Sequence, residues 1–271
     1  MRHLLVHLDS TAQTKARLEL AATLAKRLGS RLVGVFAQTQ RSVTSGVVAA
    51  WPPAEYVAAR DAAEAAFMAA TGGLADRAFM DLNRGEDSDI IVQAIDLARH
   101  FDLVICGQPA PDSHATPSDL IERIVVDSGR PALVVPHAGH FADVGHRPMF
   151  AWNESREAAR AMGDGVRLSA QDAKAVVVSV SKPGDPAIDY RKASLDLAVA
   201  HLKAHGIEAR ADQALASDIG LMDALLNEAA DASADLLVIG AFGGQGYPRF
   251  SRGSGSRFML KHMTLPVLLS H

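Results

Sequence analysis

Residues 235–270 run DLLVIGAFGGQGYPRFSRGSGSRFMLKHMTLPVLLS. The apolar run 236–240 ends on a glycine, glycines recur at 243, 244, 246, 253 and 255, and a second apolar run follows Pro266. Short, continuous apolar runs bounded by glycine and proline are the mark of strands buried on both faces, as in parallel sheets. The stretch between them, from about Ser254, carries helical spacing. The order is therefore strand, glycine loop, helix, strand. An earlier stretch follows the same plan, with DLVICG at 102–107 and RPALVVP at 130–136. Gly107 and Pro131 lie 24 positions apart, and Gly240 and Pro266 lie 26 apart.

The duplication extends upstream. In the first half, strands are expected at 3–8, 31–37 and 78–83, with helices at 11–28, 54–71 and 88–100, and Gly29 fits a left-handed helix stop. In the second half, strands at 148–152, 175–180 and 207–213 alternate with helices at 154–169, 188–205 and 219–231. Alternating strands and helices predict an α/β fold: two tandem doubly wound domains, each with a five-stranded parallel sheet and right-handed crossovers. The expected domains are 1–138 and 147–271, joined through HAGHFADVGH at 137–146. Residues 40–53 form a long loop, read as a lid or an interface segment.

The chain has 271 residues, 48% of them hydrophobic and 21% charged, which describes a globular protein with a substantial core. A net charge of -4 gives no basic footprint for nucleic acid or an anionic membrane. No apolar run reaches membrane length and the N-terminus lacks a signal-peptide pattern, so a cytoplasmic location is expected. The single cysteine, Cys106, excludes an intramolecular disulfide and reads as a small buried hydrophobe.

The chemistry concentrates at 236–260. Glycines allow a ligand close to the backbone, and a helix N-terminus offers unpaired N–H groups and partial positive charge, a combination that suits phosphate. Ser254 and Ser256 add hydroxyls, and Arg249, Arg252 and Arg257 are candidate counter-charges. A Walker A loop would need Gly-Lys-Ser/Thr before the helix, where this chain has Gly253-Ser254-Gly255. The dinucleotide pattern Gly-x-Gly-x-x-Gly begins at neither Gly240 nor Gly244.

The spacing Gly240, two residues, Gly243, nine residues, Gly253-Ser254 resembles the ATP-binding signature of the universal stress proteins, and the ending LKHMTLPVLLS is similar to that family's last helix and strand. The resemblance covers almost the whole chain as two copies. It implies an adenine-nucleotide site, with Trp152 and Asn153 at the end of the first strand and Val180 on the second placed against base and ribose. Gly240, Gly243, Gly253, Ser254 and Ser256 would surround the phosphates, with Ile239, Arg249 and Gly255 completing the cofactor-binding set. Asn153 stands where the family usually has aspartate. The implied ligand is ATP, with Mg2+ as the accompanying ion. The implied partners are an adenine nucleotide and an unidentified protein. The last strands, 132–136 and 266–270, would pair into an intramolecular pseudo-dimer able to form a homodimer.

The first half carries a spoiled copy of the loop. GQPAPDSHATPSD has no glycine after Gly107 and three prolines, which lack N–H donors. Asp119 falls at the Ser254 position, where it suits its own helix terminus and opposes phosphate. At about 4 Å and an effective dielectric near 20, two like charges repel by about 4 kcal/mol. Asp9 retains the aspartate that Asn153 replaces, so one half keeps the carboxylate and the other keeps the loop. Only the C-terminal half is expected to bind nucleotide.

His137, His140 and His146 have no ligand set around them and read as linker residues, and His262 reads as packing. No nucleophile or general base is evident, so the expectation is a non-catalytic or very slow stress-response module. An interaction scaffold without nucleotide and a weak ATPase are the alternatives.

Overall fold

The computed structural model describes residues 1–39, 52–82, 87–109, 115–216, 220–243 and 253–271. The chain forms two compact units, Met1–Ala142 and Asp143–His271. The division falls within the stretch 137–146. Loop residues 40–51, together with Gly244, Gly246, Arg249 and Arg252, lie outside the described residues.

The N-terminal unit runs β1 (His3–Leu8), α1 (Thr14–Leu28), β2 (Arg31–Phe36), α2 (Ala54–Ala70), β3 (Arg77–Asp81), α3 (Asp87–Ala98), β4 (Leu103–Gly107), α4 (Leu120–Ser128) and β5 (Ala132–Val135). Its strands pair in parallel in the order β3-β2-β1-β4-β5. The C-terminal unit repeats the plan with β6 (Pro148–Ala151), α5 (Arg156–Leu168), β7 (Lys174–Ser181), α6 (Ile188–Ala204), β8 (Glu208–Leu215), α7 (Leu221–Asp231), β9 (Leu236–Gly240), α8 (Ser254–His262) and β10 (Val267–Ser270). Its order is β8-β7-β6-β9-β10, again parallel. This is the α/β fold expected from the alternation. Among the described residues no helix is long and apolar enough to cross a membrane.

Both faces of the central strands are covered. Leu103, Val104, Ile105 and Cys106 are buried in succession, as are Leu236, Leu237, Val238 and Ile239. Burying one such aliphatic side chain contributes about 1.5–3 kcal/mol, so these runs anchor each unit. Gly29 ends α1 in the left-handed region, φ 60°.

Asp102 and Asp235, each just before the fourth strand of its unit, do more than turn the chain. The Asp102 carboxylate accepts the backbone N–H groups of Arg2 (2.6 Å) and His3 (3.1 Å), while Asp235 accepts those of Gly145, His146 and Arg147 (3.0, 2.9 and 3.0 Å). In both units an acid before the fourth strand clips the start of the first strand, whose outermost donors have no ladder partner.

Within each unit the chain order reverses beside the first strand, which lies between the second and the fourth. In open α/β sheets the crevice at the carboxyl ends of the strands flanking such a reversal is the place where ligands fit. In the C-terminal unit those strands are β6 and β9.

Candidate functional site

A cavity of about 620 Å³ opens at that point in the C-terminal unit. Trp152, Asn153, Val180, Ile239, Gly240, Gly243, Gly253, Ser254, Gly255 and Ser256 all line it. Of the residues expected at the site, Arg249 lies outside the described residues, as does the candidate counter-charge Arg252. The sheet contributes an apolar wall of Val178, Val180 and Ile239, and α7 adds Leu221, Met222 and Leu225. Pockets of about 300–1,000 Å³ with such walls and a few polar groups suit a small organic ligand.

Three helix N-termini line this cavity, and they differ. Ser155 caps α5, its hydroxyl accepting from Ala158 N–H at 3.1 Å. The first turn of α7 carries its own acid, Asp223. Helix α8 has neither an acidic residue in its first turn nor a side-chain cap, and its N-cap is Gly253 at φ 77°. The first N–H groups of any α-helix lack intrahelical acceptors. Those of α8 therefore have no anion supplied by the chain's own first turn. Glycine is favoured at 253 because a β-carbon would face a positive φ and stand 2.8 Å from Cδ1 of Phe242.

Gly240 and Gly243 have a different reason for being glycine from the one the sequence suggested. A β-carbon on Gly240 would stand 2.4 Å from Ala158 N and 2.5 Å from Glu157 C, so the glycine admits the first turn of α5 rather than a ligand. At Gly243 it would meet the Glu157 carboxyl carbon at 2.8 Å. Gly240→Ala is expected to destabilise the C-terminal unit by about 1–3 kcal/mol, since backbone atoms must move to relieve the overlap. Urea unfolding of the full chain reads this directly, and an unchanged midpoint would refute the packing role.

Ser256 is buried, and its oxygen accepts the N–H of Phe242 at 2.9 Å, pinning that residue in the left-handed region at φ 57°. Its place in the cavity is thus partly structural. The Asn153 side-chain oxygen accepts from Ser155 N (3.3 Å) and Ser155 Oγ (2.7 Å), leaving the amide NH2 for other contacts. The indole N–H of Trp152 donates to Ser194 Oγ at 2.8 Å, which holds the ring in place.

Sequence reasoning missed Glu157, Lys182, Phe242 and the start of α7. Lys182 was within reach: it follows Val178 and Val180 at the strand period of two, and all three line the cavity. Glu157 is a buried acid beside Gly243. Burial pushes its pKa up, but the hydrogen bond and charge of Arg156 (Nε–Oε1 2.7 Å), with His271 nearby, bring it below the ordinary carboxylate value overall. It therefore carries negative charge at neutral pH, and Lys182 is the cation on the other wall.

Comparison with solved structures decides what this architecture is. A universal stress protein from Archaeoglobus fulgidus DSM 4304 superposes with a TM-score of 0.69 over 99% of this chain and 96% of that one, at 16% identity. The chain has the universal stress protein fold. A putative universal stress protein from Pseudomonas aeruginosa UCBPP-PA14 matches with a TM-score of 0.58 over 99% of this chain and 93% of that one, at 15% identity. A protein described as functionally unknown, from Pseudomonas aeruginosa PAO1, matches with a TM-score of 0.60 over 100% and 92%, at 16% identity. No family model and no curated protein matches the sequence.

The N-terminal copy of the universal stress protein fold is arranged differently at the same point. Asp9, at the end of β1, is buried and turned inward. It accepts from Thr11 N (2.9 Å), Thr11 Oγ1, Thr14 Oγ1 (2.7 Å) and Arg17 Nη2 (3.1 Å), the last from within α1. Burial opposes its charge, but Arg17, His7 and these hydrogen bonds outweigh it and hold the carboxyl well below the usual range. The carboxylate that this half keeps is consumed by an ion pair with Arg17. The Arg17 guanidinium also covers Gly107, where a β-carbon would stand 2.0 Å from Nη1. The space over β4 is thus filled by an arginine side chain, and the space over β9 by the backbone of α5.

Asp119 occupies the N-cap position of α4 yet makes no side-chain capping hydrogen bond, unlike the role its sequence position suggested. Cys106, beside this cluster, is buried, and burial pushes its thiol up to about 12. Thiol chemistry requires the thiolate. Labelling of the native chain with iodoacetamide at pH 8 is expected to be negligible and to become complete on denaturation. Rapid native labelling would show Cys106 to be accessible.

Proposed function

We propose that the chain is a tandem universal stress protein whose C-terminal unit binds an adenine nucleotide of the ATP class, and that it works as a non-catalytic or very slow regulatory module. The observation that carries this reading is the convergence of ten sequence-selected residues on one cavity into which the uncapped first turn of α8 opens. The apolar wall of Val178, Val180 and Ile239, with Trp152 beside it, suits a flat base. The Asn153 amide suits ribose hydroxyls. Gly253, Ser254 and Gly255 suit phosphate oxygens, and Lys182 supplies the counter-charge. Mg2+ fits as an ion carried on the nucleotide's own phosphates, because no group of three or more His, Cys, Asp or Glu is gathered among the described residues. The nucleotide would bias the surface around α8 toward one state, which a protein partner reads.

The N-terminal unit is proposed not to bind nucleotide. Its first-strand carboxylate is paired with Arg17, and that side chain fills the space above Gly107.

The test is to denature the purified full chain and identify any released nucleotide, then titrate ATP by calorimetry while assaying product. Saturable binding of one nucleotide per chain without turnover is expected. Absence of binding would leave an interaction scaffold, and rapid product formation would make the protein an ATPase.

A further inference from the structure

We propose that β8 is a self-pairing edge through which two copies of this chain associate antiparallel about a two-fold axis at Ala211. Strand β8 ends the sheet order of the C-terminal unit and is eight residues long, EARADQAL, with no proline and no bulge in its register with β7. It extends two residues past the end expected from the sequence, to Leu215. Its outward backbone groups can be assigned. Ala216 N donates to Ser181 O at 2.9 Å, so even-numbered residues of β8 turn their N–H and C=O toward β7. Backbone direction alternates along a strand. Ala209, Ala211, Gln213 and Leu215 therefore face the free edge. The Gln213 N–H donates to Asp212 Oδ1 at 3.0 Å and would exchange that acceptor for the second strand; a free edge of this kind is a template for another strand.

The side chains choose the occupant and the register. Antiparallel pairing of two copies about Ala211 sets Ala211 against itself and Ala209 against Gln213, which matches outward backbone to outward backbone. It also sets Arg210 of each copy opposite Asp212 of the other. Centring the axis on Arg210 would place two arginines face to face and set Glu208 against Asp212. Centring on Asp212 would oppose two aspartates. Centring on Ala209 satisfies charge but pairs only three residues of the strand. The Ala211 register alone combines full overlap with opposite charges. Within one copy Arg210 and Asp212 already form an exposed ion pair at 2.7 Å, so pairing would build a four-charge network across the axis.

Leu215, 56% exposed, adds an apolar side chain at the end of the edge strand. Among the described residues, the exposed large hydrophobics of the C-terminal unit are Ile188, Tyr190, Leu197 and Leu215, all on α6 and β8. Leu197 is 73% exposed and Tyr190 68%. Helix α6 packs on the sheet through Leu195, Ala198, Val199 and Leu202, so Tyr190 and Leu197 lie on its far side, and Leu215 is the exposed apolar residue on the edge strand itself.

The test is the mass of the full chain by sedimentation equilibrium between about 1 and 100 µM, for wild type and four variants. Ala211→Pro removes an outward N–H without breaking a bond to β7, and an edge strand tolerates proline at such a position. It is expected to weaken dimerisation at least about tenfold while circular dichroism stays unchanged. Arg210→Asp and Asp212→Arg each place like charges opposite and should weaken it by a similar factor, whereas the double swap R210D/D212R restores wild-type affinity. If Ala211→Pro disturbs folding, the charge-swap set decides alone. A monomeric wild type throughout the range overturns the proposal, as does a dimer indifferent to the substitutions or single swaps that the double swap does not rescue.

Discussion

Gly253→Asp is expected to weaken ATP binding by the full chain about a thousandfold and to leave the fold intact. The residue sits at the N-cap of α8, with φ 77°, at the wall of the 620 Å³ cavity. A carboxylate there would face phosphate oxygens at about 4 Å, and at an effective dielectric near 20 the repulsion is about 4 kcal/mol, close to three decades in affinity. The same carboxylate suits the helix it caps, because aspartate at an N-cap interacts well with the N–H groups and the dipole. Aspartate and asparagine are also the residues most tolerant of positive φ after glycine. The β-carbon would stand 2.8 Å from the Phe242 ring, which can swing aside. Gly253→Asn separates charge from shape: it presents the same bulk without the charge and should lose no more than about tenfold. Calorimetric titration of both variants checks the pair. Normal ATP binding by Gly253→Asp would remove α8 from the site.

The second large effect belongs to the N-terminal unit. Arg17→Met is expected to destabilise it by about 3–5 kcal/mol at pH 7, the cost of leaving a buried charge without its partner. Asp9 and Arg17 are both buried, and Arg17 Nε has no acceptor, so the pair is tightly enclosed and incompletely satisfied. Replacing both partners, Arg17→Met with Asp9→Asn, should recover most of the loss, since removing a whole buried pair is far cheaper than removing half of it.

The pH dependence follows from the sign of the shift. In the wild type Asp9 is held below its unfolded value of about 4. Its contribution is therefore fully present above pH 4 and is lost as pH falls toward the depressed folded value. Without Arg17 the strongest opponent of burial is gone, and the carboxyl rises from that depressed value. Relative to wild type the variant is then penalised at neutral pH and relieved as acid protonates Asp9. The stability gap between wild type and Arg17→Met should shrink as pH falls from 7 to about 3. Urea unfolding at both values, followed by circular dichroism, measures the gap, and a constant gap would place the loss in packing alone.

Elements and their order were legible because they depend on neighbours along the chain. Runs such as LVICG and LLVIG, ended by glycine and followed by a helical period, are local patterns, and the observed β4 and β9 lie within a residue of their expected limits. The glycine spacing 240, 243 and 253 was legible for the same reason, but its purpose was only half so. Gly253 has the positive φ expected of a loop glycine at a helix N-terminus. Gly240 and Gly243 are small because α5, from more than eighty residues earlier in the chain, presses its first turn against them.

What the amino-acid sequence determined unaided is the succession of strands and helices, its duplication, and the crevice those strands must form. Backbone periodicity and turn chemistry act over a few residues and carry that information in the chain itself. The tertiary structure alone decided which charges meet: that Asp9 is spent on Arg17, that Glu157 lies beneath Gly243, and that Lys182 and α7 close the cavity. Ion pairs and helix approaches join residues that only strand order brings together, and their strength depends on burial, which no single stretch of sequence contains.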